Sequence, residues 1–346
     1  MTRVRARGEA VRRFIIDNVD DHPKDISRLT AAKFSISRQA VNLHLRRLVD
    51  EGALRPDGAT SNRTYKLAPL VTWEKDYSIG ESLAEDRVWL RDIAPCLDQM
   101  PQNVTDIWQY AFTEIFNNAL EHSQGSTVHV AIDKTAAGTT LGVSDNGVGI
   151  FKKIQAALGL EDERHSVLEL AKGKFTTDPA NHSGEGIFFS SRMFDDFVIH
   201  SGEVFFDRSF AEDEDWILKR DSRVTGTEVL MTLSNHTART TKKVFDRFTS
   251  GGDDYGFTKT VVPVKMATYG DDNLVSRSQA QRLLARVDRF KIVVLDFDGI
   301  DAIGQAFADE AFRVFPNHHP EIDVFGIHMR SAVKRMVSRA KSAGRT

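Results

Sequence analysis

Cysteine is almost absent from this sequence, because Cys96 is the one cysteine among 346 residues. A single thiol allows neither an intramolecular disulfide nor a metal site built from several cysteines, and such usage is typical of a reducing compartment. Long apolar runs are missing as well. None approaches the roughly 18 residues that a membrane span needs, and the arginine-rich start lacks the apolar stretch of a signal peptide. We therefore expect a cytoplasmic protein without a membrane-spanning segment.

A strong charge of either sign is also lacking. The net charge of −3 argues against a surface that binds nucleic acid throughout, although a near-neutral total can hide one basic segment. The composition, 41% hydrophobic and 27% charged, is that of ordinary globular proteins, so most of the chain should fold. The length favours two or three domains, at about 100–200 residues for each.

The sequence pattern divides the chain into segments. Residues 1–70 carry apolar positions at helical spacing, followed by a hairpin pattern. Residues 75–235 mix long helices with strands and predict an α/β sandwich; the strands are expected at 127–132, 140–143, 197–200 and 228–233. A polar stretch with glycines favours a linker at 236–258. Residues 259–346 predict a small α/β domain, with strands at 291–297 and 322–327 and helices near 278–289, 304–315 and 330–341.

Two polar motifs lie in the first half of the sandwich. Glu114 and Asn118 are four residues apart in a helical pattern, which places a carboxylate and an amide on one face of the helix. Asp145 ends a predicted strand, and Gly147 and Gly149 follow it. Glycines there allow the backbone to approach a ligand closely, and the carboxylate can accept a hydrogen bond from an adenine amino group.

Two further motifs follow in the second half. Gly184 and Gly186 open an apolar helix, and the free N–H groups and dipole of a helix start favour phosphate. Alone, such a glycine pair is more often a simple turn. Thr227, after Gly226, enters a strand and brings a hydroxyl near the proposed base site.

Taken in order, these motifs resemble the N box, the G1 box, the G2 box and the closing Gly-Thr strand of the GHKL ATPase superfamily, which includes gyrase and histidine kinases. The resemblance covers residues of about 105–235 and implies ATP and Mg²⁺ as ligands. Asn118 would coordinate the metal, and Asp145 would read the adenine. Thr227 would support the base, and Glu114 would orient or deprotonate the attacking water. The glycines would shape the pocket and seat the phosphates: Gly147, Gly149, Gly184 and Gly186.

The segment 151–183 corresponds in this resemblance to the mobile lid over the nucleotide. It contains Lys172 and Lys174, and we include Lys174 among the nucleotide-binding residues. A solvated loop is the alternative interpretation, although long loops in compact domains are usually functional or disordered. His122, at the end of the N-box helix, is either a phosphate contact or a structural hydrogen-bond partner.

The N-terminal segment is basic, since Lys and Arg outnumber Asp and Glu between residues 1 and 70. Ser37 is a helix N-cap, and the helix that follows exposes polar side chains suited to base edges and phosphates. Together with a hairpin around Gly58, this pattern resembles a winged helix-turn-helix, which implies binding to double-stranded DNA. A winged helix that binds protein is the alternative. The expected DNA contacts are Arg38, Gln39, Asn42, His44, Arg46 and Arg63.

The C-terminal segment contains Asp296 and Asp298 in an Asp-Phe-Asp-Gly sequence after an apolar strand, as in haloacid-dehalogenase-like phosphatases. Too little chain follows to complete that fold, so we interpret both as strand-end and turn residues. The strand, the turn and the helix from Gly304 resemble STAS-like domains of anti-sigma-factor antagonists. In phosphorylated antagonists a serine precedes this helix, but here the sequence is Ala302-Ile303-Gly304. The departure favours a docking role, within the chain, in a dimer or toward a protein partner.

Three functional hypotheses follow. The first is an ATP-switched, DNA-binding transcriptional regulator that acts as a homodimer. The second is a protein kinase of the anti-sigma type or a partner-switching protein; a histidine autokinase is disfavoured because residues 70–101 contain no histidine. The third is a slow ATPase with a conformational cycle, with Glu114 as the base.

Overall fold

The computed structural model describes residues 3–58, 63–80, 83–176, 184–210, 214–249, 256–267 and 274–343. Its described residues form a mixed α/β architecture with several sheets, which confirms the expected multidomain class. We distinguish an N-terminal unit (3–67), a central unit (71–249) and a C-terminal unit (256–343). In the described part of the chain, no helix combines the length and the apolar character needed to cross a membrane.

The N-terminal unit contains three helices and a hairpin, in the predicted order. Its elements are α1 (Arg3–Asn18), α2 (Ile26–Phe34), α3 (Arg38–Asp50), β1 (Leu54–Asp57) and β2 (Thr64–Leu67). The Ser37 hydroxyl caps α3 by accepting a hydrogen bond from the Ala40 N–H at 3.2 Å. Leu45 is fully buried in a core that belongs to this unit. The tip of the predicted wing, residues 59–62, lies outside the described residues.

The central unit is a five-stranded antiparallel sheet, in the order β3-β4-β5-β7-β6, with helices packed on one face. Alternate residues of the strands are buried against these helices, as period-two strands require. The elements up to α6 are β3 (Val71–Ser78), α4 (Glu85–Val88), α5 (Gln102–Asn117), β4 (Thr127–Lys134), β5 (Gly138–Asp145) and α6 (Ile150–Leu158). The remaining ones are α7 (Arg164–Lys172), α8 (Gly186–Met193), β6 (Asp196–Ser209), β7 (Glu214–Ser234) and α9 (Thr241–Asp246).

The described part of the segment 151–183 is not one long loop, because α6 and α7 occupy 151–158 and 164–172. Apolar residues at helical spacing bury one face of each helix; Phe151 and Val167 are fully buried. The alternative interpretation, a solvated loop, is therefore wrong for the helical residues 151–158 and 164–172. Residues 177–183 lie outside the described residues.

The predicted linker 236–258 contains α9 and two buried phenylalanines. Phe248 and Phe257 pack against Phe188 of α8, with ring centroids 4.9 and 4.4 Å away. The polar stretch between these two phenylalanines predicted a linker, so their packing was not predicted from the sequence. As a result, the central and C-terminal units share one continuous hydrophobic core.

The C-terminal unit is the predicted small α/β domain. Its parallel sheet has the order β10-β9-β8 and is built from β8 (Lys259–Pro263), α10 (Arg277–Leu284), β9 (Ile292–Asp296), α11 (Gln305–Asp309), α12 (Phe315–His318), β10 (Asp323–Ile327) and α13 (Ser331–Ser342). The strand β8 was not predicted. Asp296 ends β9, and its Oδ1 accepts a hydrogen bond from the Asp298 N–H at 3.0 Å, which confirms the strand-end and turn assignment.

Candidate functional site

A cavity of about 280 Å³ opens in the central unit between α5, the end of β5, α6 and the start of α8. This volume is close to the lower end of the range of ligand pockets, roughly 300–1,000 Å³. Most residues that the sequence singled out for the nucleotide line it: Glu114, Asn118, Asp145, Gly149, Gly184, Gly186 and Thr227.

Asp145 supplies a buried carboxylate to this cavity. Its Oδ1 accepts a hydrogen bond from the Gly147 N–H at 2.8 Å. Burial raises the pKa of Asp145, while the backbone N–H groups of Gly147 and Thr227 oppose that shift. Apolar Val143 and Val229 also line the cavity. A flat, partly apolar ligand with an amino group fits this combination.

Two glycines after Asp145 are required by close packing. A Cβ atom on Gly147 would collide with the carbonyl oxygen of Ser123. Gly149 has a φ of +88°, and a Cβ there would lie 2.5 Å from the Ser201 hydroxyl. The backbone therefore comes close to its neighbours at both positions, and Gly149 leads directly into α6 at the edge of the cavity.

The N-box helix changes its geometry at the cavity. The α-helical part of α5 ends at Asn117, and a π-helical turn covers Asn118–His122. Such turns are rare and occur frequently at functional sites. Glu114 and Asn118 both line the cavity, as their spacing predicted, and His122 lines it as well.

The start of α8 lies directly against Glu114. A Cβ atom on Gly186 would collide with the Glu114 carboxylate. The side chain of the N-cap residue, Glu185, makes no capping hydrogen bond to the first backbone N–H groups of this helix. The cavity thus combines, at one end, a helix start, whose N–H groups favour an anion, and a carboxylate that can orient water.

Sequence reasoning missed Lys153, which lines the same cavity from α6. Its Nζ donates a hydrogen bond to the His122 carbonyl at 2.8 Å, and burial lowers the pKa of Lys153. Recognising 150–158 as an amphipathic helix would have identified it, because Phe151 and Ile154 occupy the buried face beside it.

Lys174 does not line the cavity. Its Nζ donates to the Arg289 carbonyl at 3.1 Å and lies over the rings of Phe257 and Phe290, at 5.4 and 5.0 Å. Its charge also opposes the rise that burial causes in the pKa of Glu185, a cavity residue. The structure therefore places Lys174 between the cavity and the C-terminal unit, and direct contact with a nucleotide stays a prediction.

Five of the side chains predicted to contact DNA lie on α3, and the sixth, Arg63, directly precedes β2. Most of them are exposed: Arg38, Gln39, Asn42, Arg46 and Arg63. His44 is half-buried, contrary to the expectation of an exposed side chain. Burial, followed by the charges of Arg12 and Arg47, lowers the pKa of His44. The sequence did not single out Leu43, which is 65% exposed on the outward face of α3.

The antiparallel sheet, the helices on one of its faces and the glycine-bounded cavity define a nucleotide-binding α/β unit. Residues 80–204 match the family model of the histidine kinase-like ATPase domain, and residues 279–329 match that of the STAS-like domain of unknown function (DUF4325). The first match implies ATP as ligand. Together the two domains fit an ATP-binding signalling or partner-switching regulator. No curated protein matches this chain.

Proposed function

We propose that this protein is an ATP-binding regulator whose nucleotide state is sensed by the C-terminal unit and whose N-terminal unit binds double-stranded DNA. The observation that carries the proposal is the cavity beside Asp145. It joins a buried carboxylate, close-packed glycines and the start of a helix. These are the groups that an adenine and a chain of phosphates require.

The described residues fit ATP with Mg²⁺. Asp145 would accept a hydrogen bond from the adenine amino group. The Thr227 hydroxyl already accepts from the Ile150 N–H at 2.9 Å, so its own proton is available for the base or for a water. Asn118 would supply one oxygen to Mg²⁺, which needs few protein ligands beside phosphates and water. The metal would neutralise phosphate charge.

Contacts between the cavity and the C-terminal unit support the sensing role. Phe175 and Thr176 line the cavity, and the chain just before them is held by the C-terminal unit. The Lys172 ammonium donates to the carbonyls of Arg282 and Ala285, each at 2.9 Å, and the Thr260 hydroxyl donates to the Lys172 carbonyl at 2.7 Å. A ligand that moves the 172–176 segment therefore acts on the C-terminal unit.

DNA binding is supported by the outward face of α3. Gln39 and Arg46 are exposed there, and both types of side chain suit base edges or phosphates. The buried residues Val41, Leu45 and Leu48 fix the opposite face of α3 to the N-terminal core. A homodimer would present two such helices to neighbouring major grooves.

A second candidate function, slow ATP hydrolysis, is favoured by one observation. The Glu114 carboxylate lies against the start of α8, where the terminal phosphate would be seated. A carboxylate there can orient or deprotonate water. Release of inorganic phosphate would identify an ATPase, whereas labelled phosphate on a partner protein would identify a kinase.

Nucleotide binding is tested with a fluorescent ATP analogue and Mg²⁺. Asp145→Asn should weaken binding at least about tenfold, the equivalent of one charged hydrogen bond of about 1.5 kcal/mol. Asp133→Asn, an exposed position on β4 of the same sheet, is the matched control and should bind like the wild type. Equal affinity of Asp145→Asn and the control would contradict the proposed adenine contact.

DNA binding is tested by selection from a randomised duplex library, with and without Mg-ATP. The intact protein should enrich one sequence, and ATP should change the enrichment in the intact protein but not in Asp145→Asn. Arg46→Ala should weaken binding, whereas Arg335→Ala, an exposed control on α13, should not. Failure to enrich any sequence would assign the N-terminal unit to a protein partner.

A further inference from the structure

A second cavity, of about 270 Å³, lies between the central and C-terminal units and takes no part in the proposed nucleotide site. Its floor is the face of the C-terminal sheet opposite the buried Thr260 and Val262, and it includes Val261, Val294 and Ile327. The central unit covers it with Phe248 and with arginine side chains from α8, β6 and the end of α9. The C-terminal ends of β8, β9 and β10 all reach this cavity.

The lining of this second cavity is strongly cationic. Five arginines and lysines contribute to it: Arg192, Arg208, Arg247, Lys259 and Lys265. The carboxylates in its described lining are Asp296 and Asp298. A group of positive side chains in a confined, partly apolar space attracts an anion more strongly than the same group would in water.

One of the two carboxylates is already engaged locally. Asp296 Oδ1 accepts from the Asp298 N–H at 3.0 Å and lies 2.8 Å from His328 Nδ1. This arrangement fixes the turn after β9. With five basic side chains and two carboxylates, the described lining carries an excess of positive charge. It lies next to the carboxyl ends of parallel strands, where ligands commonly bind in open α/β sheets.

The guanidinium of Arg192 is rigidly placed. It lies 3.4 Å from the centre of the Phe188 ring and donates to the carbonyls of Phe188 and Ala171 at 2.9 and 3.2 Å. Arg192 is 7% exposed, and α8 connects it to Gly186 in the nucleotide cavity. This helix therefore has one end at each cavity.

We infer that the second cavity binds a small phosphate-bearing ligand, such as a diphosphate. Arginine side chains match phosphate oxygens with paired N–H donors, and lysines add point charges. An excess of several positive charges suits a multiply charged anion better than a monocarboxylate. The volume, slightly below that of most drug-sized pockets, suits a small ligand.

The direct test is calorimetric titration of the full chain with inorganic diphosphate. The wild type should bind it, and affinity should fall as salt rises, because the contacts are ionic. Arg247→Gln with Lys259→Gln should weaken binding at least tenfold. Lys334→Gln with Arg335→Gln removes the same charge from the exposed face of α13 and should have no effect. Acetate should bind at least tenfold more weakly than diphosphate; equal affinity would overturn the phosphate assignment.

A further variant separates the two cavities. In Gly186→Ala the added Cβ would obstruct the nucleotide cavity at Glu114 and leave the basic residues in place. Diphosphate binding that survives in Gly186→Ala and is lost in the Arg247/Lys259 variant supports the inference. The opposite pattern would place diphosphate in the nucleotide cavity and overturn it.

A measurement on the wild type avoids any question of folding. Acetylation of lysines, followed by mass spectrometry, should be slowed at Lys259 by diphosphate and unchanged at Lys334. Equal rates at Lys259 with and without diphosphate would contradict the inference, whatever the variants do.

Discussion

The central unit contacts its two neighbours in very different ways. It shares a continuous hydrophobic core with the C-terminal unit, and the buried Lys172 extends from α7 to two carbonyls of that unit. The N-terminal unit has a core of its own, against which Ala136 of the central unit packs. One contact is therefore part of a domain interior, whereas the other resembles a junction between separate domains.

The difference also concerns position relative to the nucleotide cavity. The 172–176 segment borders the cavity and the C-terminal unit together. The N-terminal unit touches the turn before β5, while Asp145 is at the far end of that strand. The ends of β5 lie about 24 Å apart, because a strand rises roughly 3.4 Å per residue. We therefore expect nucleotide binding to affect the C-terminal unit through direct contact. We expect it to affect the N-terminal unit only through a change in the proposed homodimer.

The largest expected effect comes from Lys172→Met. Burial lowers the pKa of Lys172, and the Glu169 carboxylate, 2.8 Å away, opposes this shift. Removing the ammonium leaves Glu169 buried with a more distant Arg286 at 3.6 Å. We expect a loss of about 3–5 kcal/mol in the free energy of unfolding of the joined central and C-terminal units, measured with urea.

Two variants control that prediction. Lys174→Met lies at the same interface but is half-exposed, so its loss should be about 1 kcal/mol or less. Lys172→Met with Glu169→Leu removes both charges and should recover part of the loss, since an apolar pair avoids the unpaired carboxylate. A loss no larger than that of Lys174→Met would show that the interface is not a shared interior.

Leu45→Ala tests whether the N-terminal unit unfolds separately from the other two units. Leu45 is fully buried in the N-terminal core, so truncation should cost about 3 kcal/mol. Calorimetry should show that the unfolding transition of the N-terminal unit moves to lower temperature. The transition of the joined central and C-terminal units should stay at the same temperature. Leu43→Ala, at 65% exposure, is the control and should change stability by less than about 0.5 kcal/mol. A shift of both transitions would mean that the cores are coupled.

The sequence predicted those features that depend on neighbouring residues. The spacing of Glu114 and Asn118, the glycines after Asp145 and the serine before α3 all produce local geometry. Such geometry is determined by helix periodicity, by positive φ angles and by capping, and each leaves a short pattern in the chain.

Features that depend on distant packing were missed. The helices α6 and α7 were not predicted, because their charged residues favoured a loop. The strand β8 is too short to be predicted without its parallel neighbour β9. Whether Lys174 turns to a phosphate or to the Arg289 carbonyl depends on the position of the C-terminal unit. No local pattern carries that information.

A smaller effect is expected from pH on nucleotide affinity. Burial raises the pKa of Asp145 above its ordinary value, and the ionised carboxylate is the better hydrogen-bond acceptor. Affinity should therefore be fully present above the raised pKa and fall as pH drops through it, by up to about tenfold per unit. Binding of the fluorescent nucleotide should show this fall, and Asp145→Asn should remove it. A wild-type curve that stays flat under acid conditions would exclude Asp145 as the titrating contact.

The smallest effects are expected from two helix caps, one in the N-terminal unit and one in the central unit. The Ser37 hydroxyl accepts from the Ala40 N–H, and the Thr240 hydroxyl accepts from the Lys243 N–H, each at 3.2 Å. Replacing either residue by alanine should cost about 1 kcal/mol. Because α3 belongs to the separate N-terminal core, Ser37→Ala should shift the calorimetric transition of the N-terminal unit. Because α9 packs on the shared core, Thr240→Ala should shift the transition of the joined central and C-terminal units. A matched pair of such small, local changes distinguishes two folding units from one more cleanly than a large cavity does, since neither variant disturbs the packing between units.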